Sequence, residues 1–564
     1  MMMTALKKLP GGNDDFRSLV TGGKVYVDKT DLIAKIAACN DATFFLSRPR
    51  RFGKSTLVST FHELFANGTE CFSSLKLGRE GLWHDHTYPV LRLNFSACEP
   101  EEGMTFTDAF AMTLEIWAHS SGLGAYWQAE QYWLKAFTGL LDHFDSKSLV
   151  LLIDEYDAPL TACLQKPEVL AERQLTLSTF FTVVKEYAYK FRFVFITGVA
   201  RFSVIDTLID LSFDPDYGAL TGFTEAELSY YFTPYIEFAA QALAEEYPHE
   251  SWNADKVREK LKENYGGYCF DSEASVTVYN PWSLFNFFDD PKAGFRPYWA
   301  ATGGSSNWLL EQCLQSMERF SDQEGGLGAL ADFLADDYTE PCSSYALQCF
   351  ISIDPDRALP FVSLLFQAGY FTIKGSRDKE DLLLIGIPND EVLDVYADVV
   401  IEDLAYKKNA DRVYMCAAFG GALRDAFKAR DCGQIRAQLN RILNLFSADA
   451  VRGFLASSFR DVLKLAAVLL HFNCASEEGI AGRSDLRIKT DDAHIILEFK
   501  LVRDAEQAED ALEEAKQQIK EARYAQLFTD KEVVALAAVI VAQPQAEDEY
   551  SRPKREIALL ERVC

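Results

Sequence analysis

The stretch FFLSRPRRFGKST, residues 44–56, joins an apolar strand pattern to a tight loop and then to Gly-Lys-Ser at the start of a helix pattern. Backbone N–H groups of such a loop, together with the N-terminus of the helix, point at a bound phosphate. Lys54 adds a positive charge for the β- and γ-phosphates, and Ser55 offers a hydroxyl to Mg²⁺. The stretch therefore predicts a nucleotide-phosphate site.

A second stretch, LVLLIDEYD at residues 149–157, supplies the acidic half of such a site. It predicts a buried parallel strand that ends in two carboxylates. Asp154 is suited to the shell of the Mg²⁺ ion, and Glu155 to orienting or deprotonating the attacking water. A Gly-Lys-Ser triplet alone is a weak signal, whereas a triplet that follows a strand and precedes this acidic strand end is specific.

The phosphate loop departs from the general P-loop pattern at one position. That pattern has a glycine five residues before Gly53, where this chain has Arg48. Glycine allows backbone conformations that arginine resists. The run Arg48-Pro49-Arg50-Arg51 is also a local basic cluster. We expect its side chains to meet the nucleotide or acidic partners rather than nucleic acid.

The chain is large and acidic. It has 564 residues, a formal net charge of -28 and 48% hydrophobic residues, which is typical of a globular protein of roughly two to four domains. The acidity argues against broad, non-specific nucleic-acid binding. The 12 cysteines and 8 histidines are scattered without Cys-x-x-Cys, so neither a disulfide framework nor a zinc site is predicted. Without a signal peptide or membrane-span pattern, we expect a cytoplasmic protein with no membrane contact.

The order of patterns predicts a multidomain α/β protein. Alternating apolar strands and helices make residues 1–225 a P-loop domain with a parallel sheet. Residues 226–300 are predicted to form a helical lid, and residues 301–450 a helical region with a winged-helix-like module around the hairpin pattern at 369–389. Residues 451–564 follow an α-β-β-α-β order, with one more strand expected near Ala481, and are predicted to form a separate domain.

Three polar segments fall at the carboxyl ends of predicted strands, namely 47–54, 154–155 and 197–198. Ligands of open parallel sheets bind at that edge. We therefore expect these segments to be neighbours in space.

The C-terminal region carries a second candidate site in GRSDLRIKTDDAHIILEFKLV, residues 482–502. Asp485 begins one predicted strand. Glu498 and Lys500 lie two apart on the next strand, so their side chains point to one face. Two carboxylates and a backbone carbonyl can bind Mg²⁺ or Mn²⁺, and a neighbouring lysine can position water for attack on a phosphodiester. A Glu-x-Lys pair usually marks a solvated sheet face. The apolar neighbours of this pair make that explanation less fitting, and the upstream Asp485 together with the helix-strand order favours a functional role.

Together these motifs resemble bacterial AAA-ATPase-like proteins that carry a C-terminal domain of the PD-(D/E)XK nuclease superfamily. The resemblance covers nearly the whole chain. In that family the P-loop usually starts Arg-Pro-Arg-Arg, so Arg48 agrees with the family's version. The matching segments are LPGGNDDFRSLV (9–20), YVDKTDLI (26–33), FLSRPRRFGKST (45–56), LLIDEYDAPL (151–160), ITGVARFSV (196–204), LTGFTEAEL (220–228), VYNPWSLFNFF (278–288), GYFTI (369–373), GRSDL (482–486) and ILEFK (496–500).

The resemblance implies roles for individual residues. The implied catalytic residues are Glu155, Asp485, Glu498 and Lys500. The implied nucleotide-binding residues are Arg50, Arg51, Gly53, Lys54, Ser55, Thr56, Asp154 and Thr197, with Thr197 as a sensor of the γ-phosphate. The implied metal ligands are Ser55, Asp154, Asp485 and Glu498. Weaker candidates are Arg201, for which a surface salt bridge is an equal alternative, and Gln518 with Glu477 or Glu478 at the second site.

Two functions remain open at this level. The first is an ATPase with Mg²⁺ that is coupled to a metal-dependent nuclease acting on DNA or RNA. The second is an ATP-gated signalling or defence regulator, in which the nuclease-like domain only binds. The set of Asp485, Glu498 and Lys500 favours the first function, and the acidic charge favours the second. The helix before the tail strands carries Asp461 but no glutamate, whereas many members of the superfamily have a glutamate on that helix, which is compatible with a fold that is kept while cleavage is weak or absent. A small-molecule kinase fits less well, and the oligomeric state stays open.

Overall fold

A computed structural model describes most of the chain in two compact units. The first unit comprises Met1–Ser306 and Pro341–Glu391, and the second comprises Asn307–Glu340 and Val392–Cys564. The structure describes residues 6–39, 43–128, 131–164, 166–203, 208–299, 310, 331, 334, 340–348, 361–377, 382–404, 412–444, 456–475, 485–490, 492–542 and 555–563.

The first unit is built on a five-stranded sheet with the order β2-β3-β4-β1-β5. Every neighbouring pair in this sheet is parallel, which confirms the predicted parallel sheet. The strands are β1 (Thr43–Ser47), β2 (Val90–Asn94), β3 (Leu149–Asp154), β4 (Phe191–Gly198) and β5 (Ile209–Asp210). Because β4 lies between β1 and β3, the phosphate loop after β1 and the acidic end of β3 flank the end of β4.

Helices cover both faces of this sheet, as the continuous apolar strands require. Phe44 and Phe195 on one face pack in a core with Phe61 of the helix Lys54–Asn67. On the other face, Phe45 meets the ring of Tyr156 with centroids 5.5 Å apart, and Tyr156 in turn lies 6.1 Å from the ring of Phe181 in the helix Pro167–Glu186. The α-helices of this part are Phe16–Thr21, Thr30–Ala37, Lys54–Asn67, Lys76–Glu80, Phe106–Ser120, Trp133–Asp142, Ala158–Thr161 and Pro167–Glu186.

Helices dominate the chain after the sheet, as predicted. The helices Glu225–Glu246, Ala254–Tyr265 and Pro281–Asp289 follow in order, and a short antiparallel pair joins β6 (Phe223–Thr224) to β7 (Val278–Tyr279). A capping box begins the first of these helices, in which the side chains of Thr224 and Glu227 each accept from the other's backbone N–H. Pro281 stands in the first turn of its helix, as its missing N–H allows.

The predicted hairpin within 369–389 is confirmed. Strands β9 (Thr372–Arg377) and β10 (Leu382–Gly386) pair antiparallel. They form a three-stranded sheet with β8 (Glu340–Ser343), in the order β8-β10-β9. The helices Ser344–Gln348 and Phe361–Ala368 precede the hairpin, and the helix Asp390–Leu404 follows it. The hairpin belongs to the first unit, and the predicted four-part division of the chain stays a prediction.

The second unit contains a mixed five-stranded sheet with the order β11-β12-β13-β14-β15. Only the β13–β14 pair is parallel, and the other neighbours are antiparallel. The strands are β11 (Asn473–Ala475), β12 (Leu486–Lys489), β13 (Ala493–Val502), β14 (Glu532–Ala542) and β15 (Arg555–Arg562). The α-helices of this part are Arg412–Ala429, Cys432–Leu443, Ala456–Leu469, Ala508–Ala522 and Tyr524–Leu527.

The predicted α-β-β-α-β order is confirmed, with two further strands. β11 precedes the predicted pair and β15 closes the sheet after β14. The extra strand expected near Ala481 lies outside the described residues. Among the helices described, none is long and apolar enough to cross a membrane.

Candidate functional site

The phosphate loop is closed on itself by Lys54. Gly53 has φ of 87°, a left-handed conformation that favours glycine. The ammonium of Lys54, which is 5% exposed, donates to the carbonyl oxygens of Arg48 at 2.9 Å and Pro49 at 2.8 Å. Burial lowers the pKa of Lys54, and the nearby carboxylate of Asp154 acts in the opposite direction. An incoming phosphate can therefore replace these two neutral carbonyl oxygens as the hydrogen-bond partner of the Lys54 ammonium.

Arg48 does not face the nucleotide side of the loop, contrary to the expectation for the whole arginine run. Its guanidinium is buried and donates to the carbonyl oxygens of Ser47, Ser212 and Tyr217 at 2.9, 2.7 and 3.2 Å. It also lies over the ring of Phe270 at 4.6 Å. Burial lowers the pKa of Arg48 to about 10. The side chain thus fastens the loop to the segment after β5, which explains why arginine replaces the usual glycine.

The acidic end of β3 meets the end of β4. The Thr197 hydroxyl donates to Asp154 Oδ1 at 2.6 Å, and the backbone N–H of Glu155 donates to the same oxygen at 3.0 Å. Glu155 is half-buried and has φ of 49°, which turns its side chain out of the strand direction. Thr197 therefore orients Asp154 directly, and its role as a sensor of the γ-phosphate stays a prediction.

One oxygen at this edge suits a cation. Asp154 Oδ2 is buried and has no hydrogen-bond partner among the described residues. A buried carboxylate oxygen without a partner is costly unless a cation or water satisfies it. Asp154 Oδ2 and the hydroxyl of Ser55 are the hard oxygen donors that Mg²⁺ prefers, so the residues fit the predicted ion.

Sequence reasoning missed Asp157, which holds the loops after β3 and β4 together. Its carboxylate accepts from the backbone N–H of Val199 at 3.0 Å and of Ala200 at 2.7 Å. A Cβ at Gly198 would lie 2.5 Å from Asp157 Oδ1, so this approach requires glycine. Burial raises the pKa of Asp157. The signal available in the sequence was that Asp157 is a third acidic residue in IDEYD, and that the next predicted strand ends in Thr197-Gly198.

Arg201 forms an ion pair, but not at the surface. It is 4% exposed and pairs with Asp210 of β5. Its backbone N–H donates to Gln367 Oε1 at 2.9 Å. The alternative of a surface salt bridge is therefore corrected to an ion pair between a buried arginine and a partly buried aspartate, because β5 pairs with β1.

The second candidate site gathers around Glu498, which is 1% exposed. Gln518 donates to Glu498 Oε1, and the Tyr524 hydroxyl donates to Oε2 at 3.1 Å. The ammonium of Lys500 donates to Gln518 Oε1 at 2.8 Å. Asp485 Oδ2 accepts from the backbone N–H of Phe499 at 2.8 Å, which ties this residue to β13. The predicted residues Asp485, Glu498, Lys500 and Gln518 are thus brought together, and Tyr524 joins them.

The electrostatics of this site favour a cation or a proton. Burial and the neighbouring charge of Asp485 raise the pKa of Glu498 to about 7. A divalent cation between the two carboxylates would relieve this repulsion, and both are hard oxygen donors. Within the described ranges, no group of three or more His, Cys, Asp or Glu side chains has the geometry of a metal site. A cation would accordingly rest on two carboxylates plus backbone or solvent oxygens.

Asp461, on the helix Ala456–Leu469, is engaged elsewhere. It is 4% exposed and its Oδ1 accepts from the guanidinium of Arg460 at 2.9 and 3.0 Å. Glu477 and Glu478 lie outside the described residues.

Comparisons with known proteins confirm the resemblance of the two domains. Residues 10–208 match the family model of a predicted AAA-ATPase, and residues 453–548 match that of the PD-(D/E)XK nuclease superfamily. A relative from Azotobacter chroococcum mcd 1, an uncharacterized protein in the vnfD 5' region, is 29% identical over 374 residues. This match covers 65% of the present chain and 64% of the relative. The two family matches support nucleotide binding and a nuclease-like function.

Proposed function

We propose that the first unit binds and hydrolyses ATP at the edge formed by the loop after β1 and the ends of β3 and β4. The observation that carries the proposal is that Lys54 donates to carbonyls of the loop after β1, while Thr197 of β4 holds Asp154 of the neighbouring strand β3. Loop N–H groups and Lys54 bind the β- and γ-phosphates. Glu155 takes the proton of the attacking water or orients it.

Each residue of this edge has a separate task. Mg²⁺, when bound by Ser55 and Asp154, supplies neutralisation of phosphate charge. The Thr197 hydroxyl and the Glu155 N–H both donate to Asp154 Oδ1 and so hold the carboxylate in one orientation. The second oxygen, Oδ2, then points away from these two donors. Arg48 keeps the loop anchored while Lys54 exchanges carbonyls for phosphate.

Substitution of two residues tests this assignment. Lys54→Ala should weaken nucleotide binding, because it removes the cation at the phosphates. Glu155→Gln should bind ATP and fail to hydrolyse it, because the amide keeps the size and loses the base. Phosphate release and equilibrium binding are measured for both, with the exposed Lys262→Ala and Glu168→Gln as matched controls. Wild-type turnover in Glu155→Gln would remove Glu155 from the reaction.

Arg50 offers a second test of the same site. Its side chain is exposed at the loop and its charge acts on Lys54. Arg50→Ala should therefore change the affinity for ATP more than the affinity for DNA. Titrations of each ligand decide between the two, and a larger loss for DNA would contradict this assignment.

We propose further that the domain at 453–548 is a metal-dependent phosphodiesterase acting on DNA or RNA. Support comes from the cluster of Asp485, Glu498 and Lys500 with Gln518 between the last two. Asp485 and Glu498 would hold Mg²⁺ or Mn²⁺, which supplies a polarised water and neutralises phosphate charge. Gln518 fixes Lys500 beside Glu498, where its ammonium can meet a scissile phosphate.

One observation favours the regulator as the second candidate. Both oxygens of Glu498 already accept hydrogen bonds, from Gln518 and Tyr524, so a metal would have to displace a donor or bind at the remaining lone pair of an oxygen that already accepts one. In that case the domain binds a partner without cleavage, and ATP gates the binding. Mn²⁺-dependent cleavage of single- and double-stranded DNA and RNA, with ATP present, separates the candidates when wild type is compared with Glu498→Ala. Cleavage by wild type alone supports the nuclease, and no cleavage by either supports the regulator.

A further inference from the structure

Two tryptophans from the chain after the sheet hold the two consecutive arginines of the phosphate loop. The guanidinium carbon of Arg51 lies 4.2 Å from the ring centroid of Trp282. The indole N–H of Trp299 donates to the carbonyl oxygen of Arg50 at 3.2 Å. These contacts lie within the first unit. The phosphate loop is therefore contacted by both tryptophans at Arg50 and Arg51, shortly before Gly53.

Arg51 is held in a way that leaves its hydrogen-bond donors available. Stacking occupies the face of a guanidinium, whereas its five N–H groups point outward in the plane. The side chain is exposed, and within the described residues no side-chain hydrogen bond engages it. Its backbone has φ of 67°, an unfavourable conformation for arginine that the surrounding contacts must maintain.

Trp282 is itself rigidly placed. It is the second residue of the helix Pro281–Asp289, and its backbone N–H donates to the buried Asn280 side chain at 2.9 Å. Its indole N–H donates to the carbonyl oxygen of Tyr298 at 3.3 Å. Because both its backbone N–H and its indole N–H are hydrogen-bonded, the Trp282 ring keeps its position when the arginine side chain moves.

One buried carboxylate braces both tryptophans. Glu391, which is 1% exposed, accepts from the backbone N–H of Trp299 at 2.6 Å. It also accepts from the hydroxyl of Ser283, the residue after Trp282, at 2.8 and 3.0 Å. Glu391 stands in the first turn of the helix Asp390–Leu404.

We propose that Trp282 is a positioning residue for nucleotide binding, which holds the Arg51 guanidinium so that its in-plane donors meet the phosphates of the nucleotide. The inference rests on the proposed nucleotide site and adds a residue from the helical region to it. Arg51 stacked on a fixed ring pays little conformational entropy when it binds an anion. Trp282 does not touch the nucleotide and acts only through Arg51.

The test is a double-mutant cycle on binding of a non-hydrolysable ATP analogue with Mg²⁺, measured by calorimetry on the full chain. Trp282→Leu should raise the Kd by about 2- to 30-fold, the range of a guanidinium–indole contact. Trp282→Phe should raise it less, because it keeps an aromatic face and loses the same indole N–H. In an Arg51→Ala background, Trp282→Leu should change the Kd by less than about twofold.

The matched control is Trp252, whose ring carries Lys256 at 4.2 Å on a neighbouring helical stretch. Trp252→Leu should leave the Kd unchanged. An unchanged Kd in Trp282→Leu, or an equal rise in the Arg51→Ala background, overturns the inference. If Trp282→Leu lowers the unfolding temperature more than Trp252→Leu does, the comparison of wild type with Trp282→Phe decides. Equal Kd values for these two proteins overturn the inference. A higher Kd for Trp282→Phe supports it, provided that Trp282→Phe no longer raises the Kd in the Arg51→Ala background. A wild-type chain that binds no analogue removes both this inference and the ATP site, whereas binding lost only in Lys54→Ala removes the inference alone.

Discussion

Replacing Glu498 by glutamine should make the C-terminal sheet more stable at pH 8 and not at pH 5. The pKa of Glu498 is raised from 4.5 to about 7 by burial and by Asp485. A carboxyl group whose folded pKa is raised contributes stability that is present below the unfolded pKa and lost as the pH rises through the folded pKa. The window of this loss is therefore about pH 4.5 to 7.

The magnitude follows from the two pKa values. The raised pKa of Glu498 lowers the unfolding free energy by about 3 kcal/mol at pH 8 and about 1 kcal/mol at pH 5. Glutamine carries no charge, but its amide N–H₂ faces either Gln518 or Tyr524, both of which donate to Glu498. One such mismatch costs about 1 kcal/mol at either pH. Glu498→Gln should then gain about 2 kcal/mol at pH 8 and about nothing at pH 5.

Amide hydrogen exchange of β14 is a local measure of this effect. Glu498 pairs with Ala537 of β14, so exchange in Glu532–Ala542 reports on opening of the strand pair. Wild type and variant are compared at the same pH without divalent cations, with the exposed Glu514→Gln as the control. Adding Mn²⁺ at pH 8 should slow exchange in wild type and leave Glu498→Gln unchanged. Equal effects of the substitution at both pH values would refute the reasoning.

Three further outcomes are expected. Arg48→Met should lower the unfolding free energy by about 3 kcal/mol, because the carbonyl oxygens that Arg48 satisfies stay buried without donors. Thermal unfolding with and without nucleotide measures this loss, and a variant as stable as wild type would show that the loop does not need Arg48. Thr197→Val should lower kcat about tenfold or more with little change in nucleotide affinity, because Asp154 loses its orienting donor. Steady-state phosphate release measures kcat and KM, and a change in KM alone would contradict the prediction. Lys500→Ala should keep the Mn²⁺-dependent slowing of exchange and reduce cleavage by about a hundredfold; loss of the Mn²⁺ response would instead make Lys500 part of the cation site.

Local patterns predicted the elements that carry the candidate sites. The apolar run before Asp154 is long enough and β-branched enough to specify a buried strand, and the strand ends where predicted. The Thr224–Glu227 capping box is encoded within four residues, so its helix start was predictable. The two-residue spacing of Glu498 and Lys500 specified one face of a strand, and both do meet Gln518 there.

Contacts between distant segments were not predictable in this way. Nothing near Arg48 in the sequence indicates that its side chain reaches the carbonyl oxygens of Ser212 and Tyr217, because strand order places β5 beside β1. The same holds for Tyr524 on Glu498, which depends on how the chain turns after the helix Ala508–Ala522.

The sequence by itself therefore determined which residues carry charge, which segments form strands and helices, and on which face each side chain lies, since these depend on neighbours within a few positions. Tertiary structure decided which of those side chains meet. Strand order placed Thr197 on Asp154, the helical region placed Trp282 under Arg51, and burial beside Asp485 raised the pKa of Glu498. Burial and long-range pairing depend on the whole packed chain, and that is the physical reason why no local pattern encodes them.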